Sequence, residues 1–324
     1  MRTALLVEPG RIELVERPRA PLRPGQVRVA ITACGVCASE LPPWTGLERV
    51  ELPMEIGHEI AGVVEEAGAE VASVAPGDHV VVWTAGGGGF ADELVADERA
   101  CMKVPPGVPF PAVAEPLSCV VNAVGLTAPA LGDDVVIVGA GFMGLLTLLV
   151  SALRGPRSIV VADVREDALA RGAALGATRV VNTRTESLHE VVREVTDGRG
   201  ADVSYEVTGV QAGLDLVADV TRMSGKLAIV GYHQGPPRSI ALGHWNWMAF
   251  QIVNGHFRDH ATIMAGMRDG TRLVASGALD PSPLVTHTFA LESVGEAFAT
   301  AAEKPDGFVK AVVETRRHKG TSTP

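Results

Sequence analysis

Residues 135–144 read Val135-Val136-Ile137-Val138-Gly139-Ala140-Gly141-Phe142-Met143-Gly144, and a further apolar stretch, 145–150, follows directly. Four apolar residues bounded by glycine make a strand buried on both faces, and the run after the glycines suits a helix packed under a parallel sheet. GxGxxG is thereby placed between strand and helix. Gly139 makes the tight turn, Gly141 lets backbone N–H groups approach a pyrophosphate at the helix N-terminus, and Gly144 lets helix and strand pack closely; Phe142 and Met143 lie in the same turn. The next apolar strand, 158–162, ends in Asp163, about 20 residues on, where a carboxylate accepts hydrogen bonds from an adenosine ribose.

Working outward, strands at 135–138, 159–162, 179–182, 203–207 and 227–230 alternate with short amphipathic helices at 144–153, 166–175, 188–196 and 211–221, which is the grammar of a doubly wound parallel sheet. The residues before it read differently. Short β-rich runs at 3–7, 12–15, 27–33, 61–66 and 80–83, punctuated by Pro and Gly, predict a small barrel-like β domain. After Gly255 come a helix at 261–276, a Pro-rich turn at 280–283, a strand, a helix at 291–302 and a last strand at 308–313, and this tail rejoins the first domain. The expected division is 1–124 with 255–324, against 125–254. A chain of 324 residues has room for both cores. The end at 316–324 is polar and predicted to be disordered.

The net charge of −10 argues against a nucleic-acid or anionic-membrane surface, since such binding needs clustered positive charge. A small-molecule partner fits better. No segment reaches the ~20 apolar residues that span a bilayer and no leader peptide is evident, so a cytoplasmic location is expected. Four cysteines, at 34, 37, 101 and 119, are too few and unevenly placed to staple the chain. Their uses are metal ligation and packing. Cys37 sits in Cys34-Gly35-Val36-Cys37-Ala38-Ser39-Glu40 where a strand gives way to a loop, and Gly57-His58-Glu59 opens another strand. A thiolate and an imidazole suit zinc; a third ligand with an open fourth position makes such a site catalytic. Glu115, in Val113-Ala114-Glu115-Pro116-Leu117-Ser118-Cys119, is the candidate third ligand. Taken singly, the three also read as a packed Cys, a surface His and a helix-first-turn Glu.

As an ordered set, Cys-Gly-Val-Cys-Ala-Ser-Glu at 34–40, Gly57-His58-Glu59 with Gly62, Pro76-Gly77-Asp78-His79-Val80, Glu115-Pro116-Leu117 and the glycine turn resemble the zinc-dependent medium-chain dehydrogenases, the alcohol, sorbitol and threonine dehydrogenase superfamily. The resemblance covers nearly the whole length. It implies an α/β protein with a GroES-like β-barrel catalytic domain plus a Rossmann doubly wound parallel-sheet domain. It further implies zinc held by Cys37, His58 and the Glu115 of Glu-Pro-Leu, as in the sorbitol dehydrogenase branch, with Glu59 a direct or exchanging ligand and Cys119 the alternative. Cys34 is expected to pack. Ser39 takes the alcohol proton and hydride passes to the nicotinamide. The resemblance puts Thr208, Val230 and Val253 in the dinucleotide site and has Lys310 reach the pyrophosphate, a solvated lysine being the alternative. NAD is expected over NADP because Asp163 would meet a 2′-phosphate as a like charge, with Arg165 partly offsetting it.

Three departures from the family pattern stand out. Residues 83–92 hold no cysteine, so the structural zinc lobe of many members cannot be built, leaving one zinc per chain and a homodimer paired through the edge strand at 250–253. Pro42 stands near where many alcohol dehydrogenases place a proton-relaying His. His244-Trp245-Asn246-Trp247 reads either as an interface or core patch or as substrate-cleft lining. The implied reaction oxidises a secondary alcohol, whether of a polyol, sugar, cyclitol or hydroxy amino acid. The alternatives are a zinc-free quinone or enoyl reductase of the same superfamily and a non-catalytic dinucleotide-binding protein.

Overall fold

The computed structural model describes residues 1–84, 86–105, 108 and 115–315. The chain forms two compact units: Met1–Glu115 with Thr271–Ala275 and Val285–Pro324, and Pro116–Gly270 with Ser276–Leu284. In chain order the first unit supplies β1 (Arg2–Glu8), β2 (Arg11–Glu16), β3 (Gln26–Gly35), α1 (Leu41–Thr45), β4 (Met54–Glu55), β5 (Glu59–Ala67), β6 (His79–Trp83), β7 (Glu93–Asp97) and β8 (Cys101–Lys103). Then come α2 (Glu115–Thr127), β9 (Asp134–Val138), α3 (Phe142–Ala152), β10 (Ser158–Asp163), α4 (Glu166–Ala174), β11 (Arg179–Asn182), α5 (Leu188–Val195), β12 (Ala201–Glu206), α6 (Gln211–Val220), β13 (Thr221–Ile229), α7 (Leu242–Trp247), β14 (Gln251–Asn254) and α8 (His260–Ala275). Finally β15 (His287–Ala290), α9 (Val294–Glu303) and β16 (Ala311–Glu314) return to the first unit.

In that unit, β2, β1 and β4 make one antiparallel sheet, and a larger one runs β15-β16-β3-β5-β6-β8, with β7 also paired to β3. Register shifts along β3 against β5, between Arg28 and Val29 and again between Ile31 and Ala33, are bulges of the kind that bend a strand and let a sheet curl. The core is closed by alternating inward residues such as Val29, Ile31, Ile60 and Val80, and by Phe90 meeting Phe298 of α9 edge-on, with ring centroids 5.6 Å apart.

The second unit is a parallel sheet in the order β11-β10-β9-β12-β13-β14. Strand order reverses between β9 and β12, and a dinucleotide crosses at such a point, beyond the carboxyl ends of the strands. All five residues of β9 are buried, as an apolar run covered on both faces must be. The sequence boundary at 124/125 differs from the unit boundary because α2 packs on α8. Asn122 Nδ2 donates to the Thr262 carbonyl at 2.9 Å, and a Cβ on Gly270 would stand 2.7 Å from Leu117 Cγ, so the helices come close at a residue without a side chain. The extra element is α7, absent from the sequence reading because its residues carry no helical apolar period; Trp245 enters the core while His244 and Trp247 stay exposed. The polar end at 316–324 lies outside the described residues. Among those described, no helix is long and apolar enough to cross a membrane.

Candidate functional site

Cys37 follows β3 and caps a single 3-10 turn, Ala38–Glu40, while His58 and Glu59 stand at the entrance to β5. The bend that delivers them depends on Gly57, whose φ of +93° suits glycine and whose Cβ would come within 2.8 Å of Phe90 Cδ2. One ligand-capable atom from each of Cys37, His58 and Glu59 lies within 4.8 Å of the others. Soft sulfur, borderline nitrogen and hard oxygen at that spacing suit zinc.

Around this trio the structure adds partners. Glu40, itself buried, accepts from Gly57 N at 2.6 Å and stands 3.3 Å from His58 Nδ1. With Nδ1 occupied by a carboxylate, the other ring nitrogen is left for the cluster, the arrangement that orients histidine ligands in metal sites. Burial disfavours a charged His58 ring, but contact with Cys37 and Glu40 outweighs it and pushes the pKa up to about 12. Glu59 is buried and its carboxylate takes the Lys310 ammonium at 2.6 Å, while the same Nζ donates to the Val36 carbonyl at 2.8 Å. Space for that carboxylate is made by Gly35, where a Cβ would overlap Glu59 Oε2. Burial disfavours the Lys310 ammonium, yet Glu59 holds its pKa above the usual lysine value. Ser39 Oγ donates to Cys37 Sγ at 3.2 Å.

Other sulfur and carboxylate candidates sit elsewhere. Glu115 starts α2, half-buried, with Cys119 about a turn further on; neither belongs to the group formed by Cys37, His58 and Glu59. Cys34 is fully buried in the first unit's core, where a Cβ on Gly89 would lie 2.6 Å from its sulfur.

In the second unit the glycine turn has the shape its pattern requires. Gly139 has φ +109°, a Cβ on Gly144 would fall on the Gly139 carbonyl oxygen, and Gly141, the N-cap of α3, is exposed with nothing within 4 Å of a Cβ. Phe142 and Met143 begin α3, so a helix N-terminus and open space coincide, which fits a pyrophosphate. Asp163 ends β10 with Oδ2 accepting from Ala140 N at 2.6 Å and Oδ1 from Val164 N and Arg165 N. Arg165 is ion-paired with Asp167, Nε to Oδ1 3.1 Å. Thr208 follows β12 and packs on Gly139, Val230 follows β13 and is buried, and half-buried Val253 lies in β14.

Residues 23–106 match the alcohol dehydrogenase GroES-like domain family, and residues 143–254 match the zinc-binding dehydrogenase family. Sorbitol dehydrogenase of Homo sapiens is 30% identical over 328 residues, covering 90% of this chain and 90% of that protein. The chain belongs to the zinc-dependent medium-chain dehydrogenases. It is an oxidoreductase of the zinc alcohol dehydrogenase type, a family that works with zinc and a nicotinamide cofactor on small molecules. L-threonine 3-dehydrogenase of Paraburkholderia phymatum is 28% identical, over 87% of this chain and 90% of that protein. The alcohol dehydrogenase TADH from Thermus sp. ATN1 superposes with a TM-score of 0.89 over 98% of this chain and all of that one; at 24% identity this speaks for the fold. The zinc-free and non-catalytic alternatives are not favoured.

For this dehydrogenase the sequence reading missed Glu40 as a partner of His58 and Lys310 as a partner of Glu59. Glu40 had a local signal, a carboxylate three residues after a metal-type Cys. Lys310, expected at the pyrophosphate or in solvent, is instead buried with its ammonium on Glu59, a pairing across 251 residues that has no local signal.

Proposed function

We propose that this dehydrogenase oxidises a secondary alcohol of a polyol, sugar, cyclitol or hydroxy amino acid, with NAD as preferred acceptor and one zinc per chain. The observation carrying the reading is the Cys37, His58 and Glu59 trio in a chain whose other unit presents an open glycine turn beside Asp163. The names of its relatives, sorbitol dehydrogenase and L-threonine 3-dehydrogenase, support the substrate class. Zinc, when bound, supplies Lewis acidity toward the substrate oxygen, and the nicotinamide accepts the hydride.

Cys37, His58 and Glu59 would hold the metal, and Glu115, the third ligand expected from the sequence, lies outside their cluster and would join only by exchange with Glu59. Glu40 fixes the His58 ring, and Lys310 compensates the buried charge of Glu59. Ser39 Oγ would receive the alcohol proton, and Pro42 has no group to pass it on, which would leave water to carry it away. Asp163 favours the ribose of NAD, and Arg165, engaged by Asp167, offers little to a 2′-phosphate. Among the described residues β14 is an edge of its sheet with Ile252 half exposed, which suits a homodimer in the cytoplasm paired edge to edge. The test is an alcohol panel with NAD⁺ and NADP⁺ on zinc-loaded protein, alongside metal analysis. NAD-dependent turnover of a polyol or hydroxy amino acid with about one zinc per chain is expected. Two zincs per chain, or turnover unchanged after chelation, would overturn the reading.

A further inference from the structure

Glu206, the last residue of β12, has no exposed side-chain surface. A carboxylate there is stable only if its lone pairs are filled. Oε1 accepts from Thr208 N at 2.7 Å, Gly209 N at 3.0 Å and the Thr208 hydroxyl, and Oε2 accepts from His233 Nε2 at 2.8 Å. Behind the imidazole, Arg238 Nε donates to His233 Nδ1 at 3.2 Å while its Nη2 reaches the carbonyls of Gly209 and Gln234, both at 3.0 Å. A ring whose Nδ1 accepts carries its proton on Nε2, so the arginine fixes the neutral tautomer that donates to Glu206. Carboxylate and guanidinium thus bracket an uncharged imidazole.

The relay joins two loops. Residues 207–210 leave β12 and residues 230–238 leave β13, at the carboxyl ends of adjacent strands. The Glu206 carbonyl accepts from Val230 N at 2.9 Å and Gly231 N at 2.8 Å, and a Cβ on Gly231 would stand 2.5 Å from Glu206 Oε2, so the second loop closes directly on the carboxylate. Thr208 in turn abuts the glycine turn, since a Cβ on Gly139 would lie 2.9 Å from its Cγ2. A dinucleotide with its adenosine at Asp163 and its pyrophosphate at Gly141 lays its nicotinamide on the β12–β14 side of the switch point. Resting on the dinucleotide reading above, we infer that Glu206, His233 and Arg238 act as one positioning relay, holding both loops in the arrangement the nicotinamide half requires. None of the three is a catalytic residue.

Glu206→Gln tests the relay, because whichever way the amide turns, one of its N–H groups meets a donor. His233 can yield only by moving its proton to Nδ1, which then faces the Arg238 donor. Arg238→Met removes that second conflict. NADH and ADP-ribose, which lacks the nicotinamide, are titrated into the parent, E206Q, R238M and the double variant. E206Q should weaken NADH about tenfold while ADP-ribose changes by less than about twofold, and the double variant should bind NADH no worse than E206Q alone. Equal losses for both ligands, losses that multiply in the double variant, or no loss would each overturn the inference. Should E206Q fail to fold, R238M alone decides by the same comparison of NADH with ADP-ribose. A parent that binds neither ligand would instead bring down the dinucleotide reading, and the relay with it.

Discussion

The Cys37, His58 and Glu59 cluster and the glycine turn at Gly139, Gly141 and Gly144 are built in opposite ways. The first is an accumulation of side chains: thiol, imidazole, two buried acids and a buried lysine, each charge held by another. The second works by leaving side chains out, so that a helix N-terminus stands beside open space. It follows that the metal side is sensitive to the identity of each group, whereas the dinucleotide side is sensitive to volume.

The widest break of that contrast is reciprocal. Replacing Cys37 or His58 by Ala should lower turnover at least about a thousandfold and strip zinc, while NADH binding stays within a few-fold of the parent. Replacing Gly144 by Val should do the reverse, abolishing NADH binding with zinc content retained, because the added carbon falls on the Gly139 carbonyl. Metal analysis and NADH fluorescence on the same preparations read both; a Cys37 variant with full activity would end the zinc assignment.

Next in size is the pair inside the metal-side cluster. Lys310→Met leaves Glu59 buried without its cation, and breaking such a pair costs about 3–5 kcal/mol. Urea unfolding should show that loss, and adding Glu59→Gln should restore a good part of it by removing the stranded charge. A single-variant loss below about 1 kcal/mol would mean that solvent reaches the pair.

Legibility in the sequence followed the same contrast. The glycine turn, Asp163 and the order of strands could be read because each signal lies within one short stretch. Gly57-His58-Glu59 and Cys37 could be read for the same reason, as residue types that the chemistry of zinc selects. What could not be read were the partners: Lys310 reaches Glu59 only because β16 pairs with β3, and nothing near Lys310 announces it. The His244 to Trp247 stretch left two readings open, since a helical turn sends Trp245 into the core and leaves Trp247 exposed, and composition alone cannot divide them.

Cofactor choice sharpens the volume side of the comparison, for here a charge is added to a site otherwise made of backbone. Asp163 should favour NAD over NADP by about ten- to a hundredfold in kcat/KM, or 1.4–2.8 kcal/mol. Asp167→Asn should narrow that margin by releasing Arg165 toward the 2′-phosphate. Comparable kcat/KM values for the two cofactors in the parent would show that Asp163 does not govern the pocket.

The smallest effect is expected where a charge pair of the first unit lies at the surface instead of inside it. Arg2 and Asp92 are joined at 2.8 Å, but their side chains keep 37% and 25% of their exposure, so the pair contributes about 1 kcal/mol or less, against the several of Lys310 and Glu59. Partial burial works against the Asp92 carboxylate, yet hydrogen bonds from the Arg2 side chain and backbone outweigh it and hold its pKa below the usual value. A carboxyl whose folded pKa is depressed adds stability above its unfolded pKa of roughly 3.9 and loses it as pH falls through the lower folded value. Asp92→Asn should therefore be less stable than the parent in urea at pH 7, and the difference should shrink once the pH drops below about 4. A penalty that stays constant into acid would trace to packing around Asp92, and the contrast between buried and surface pairs would lose its surface member.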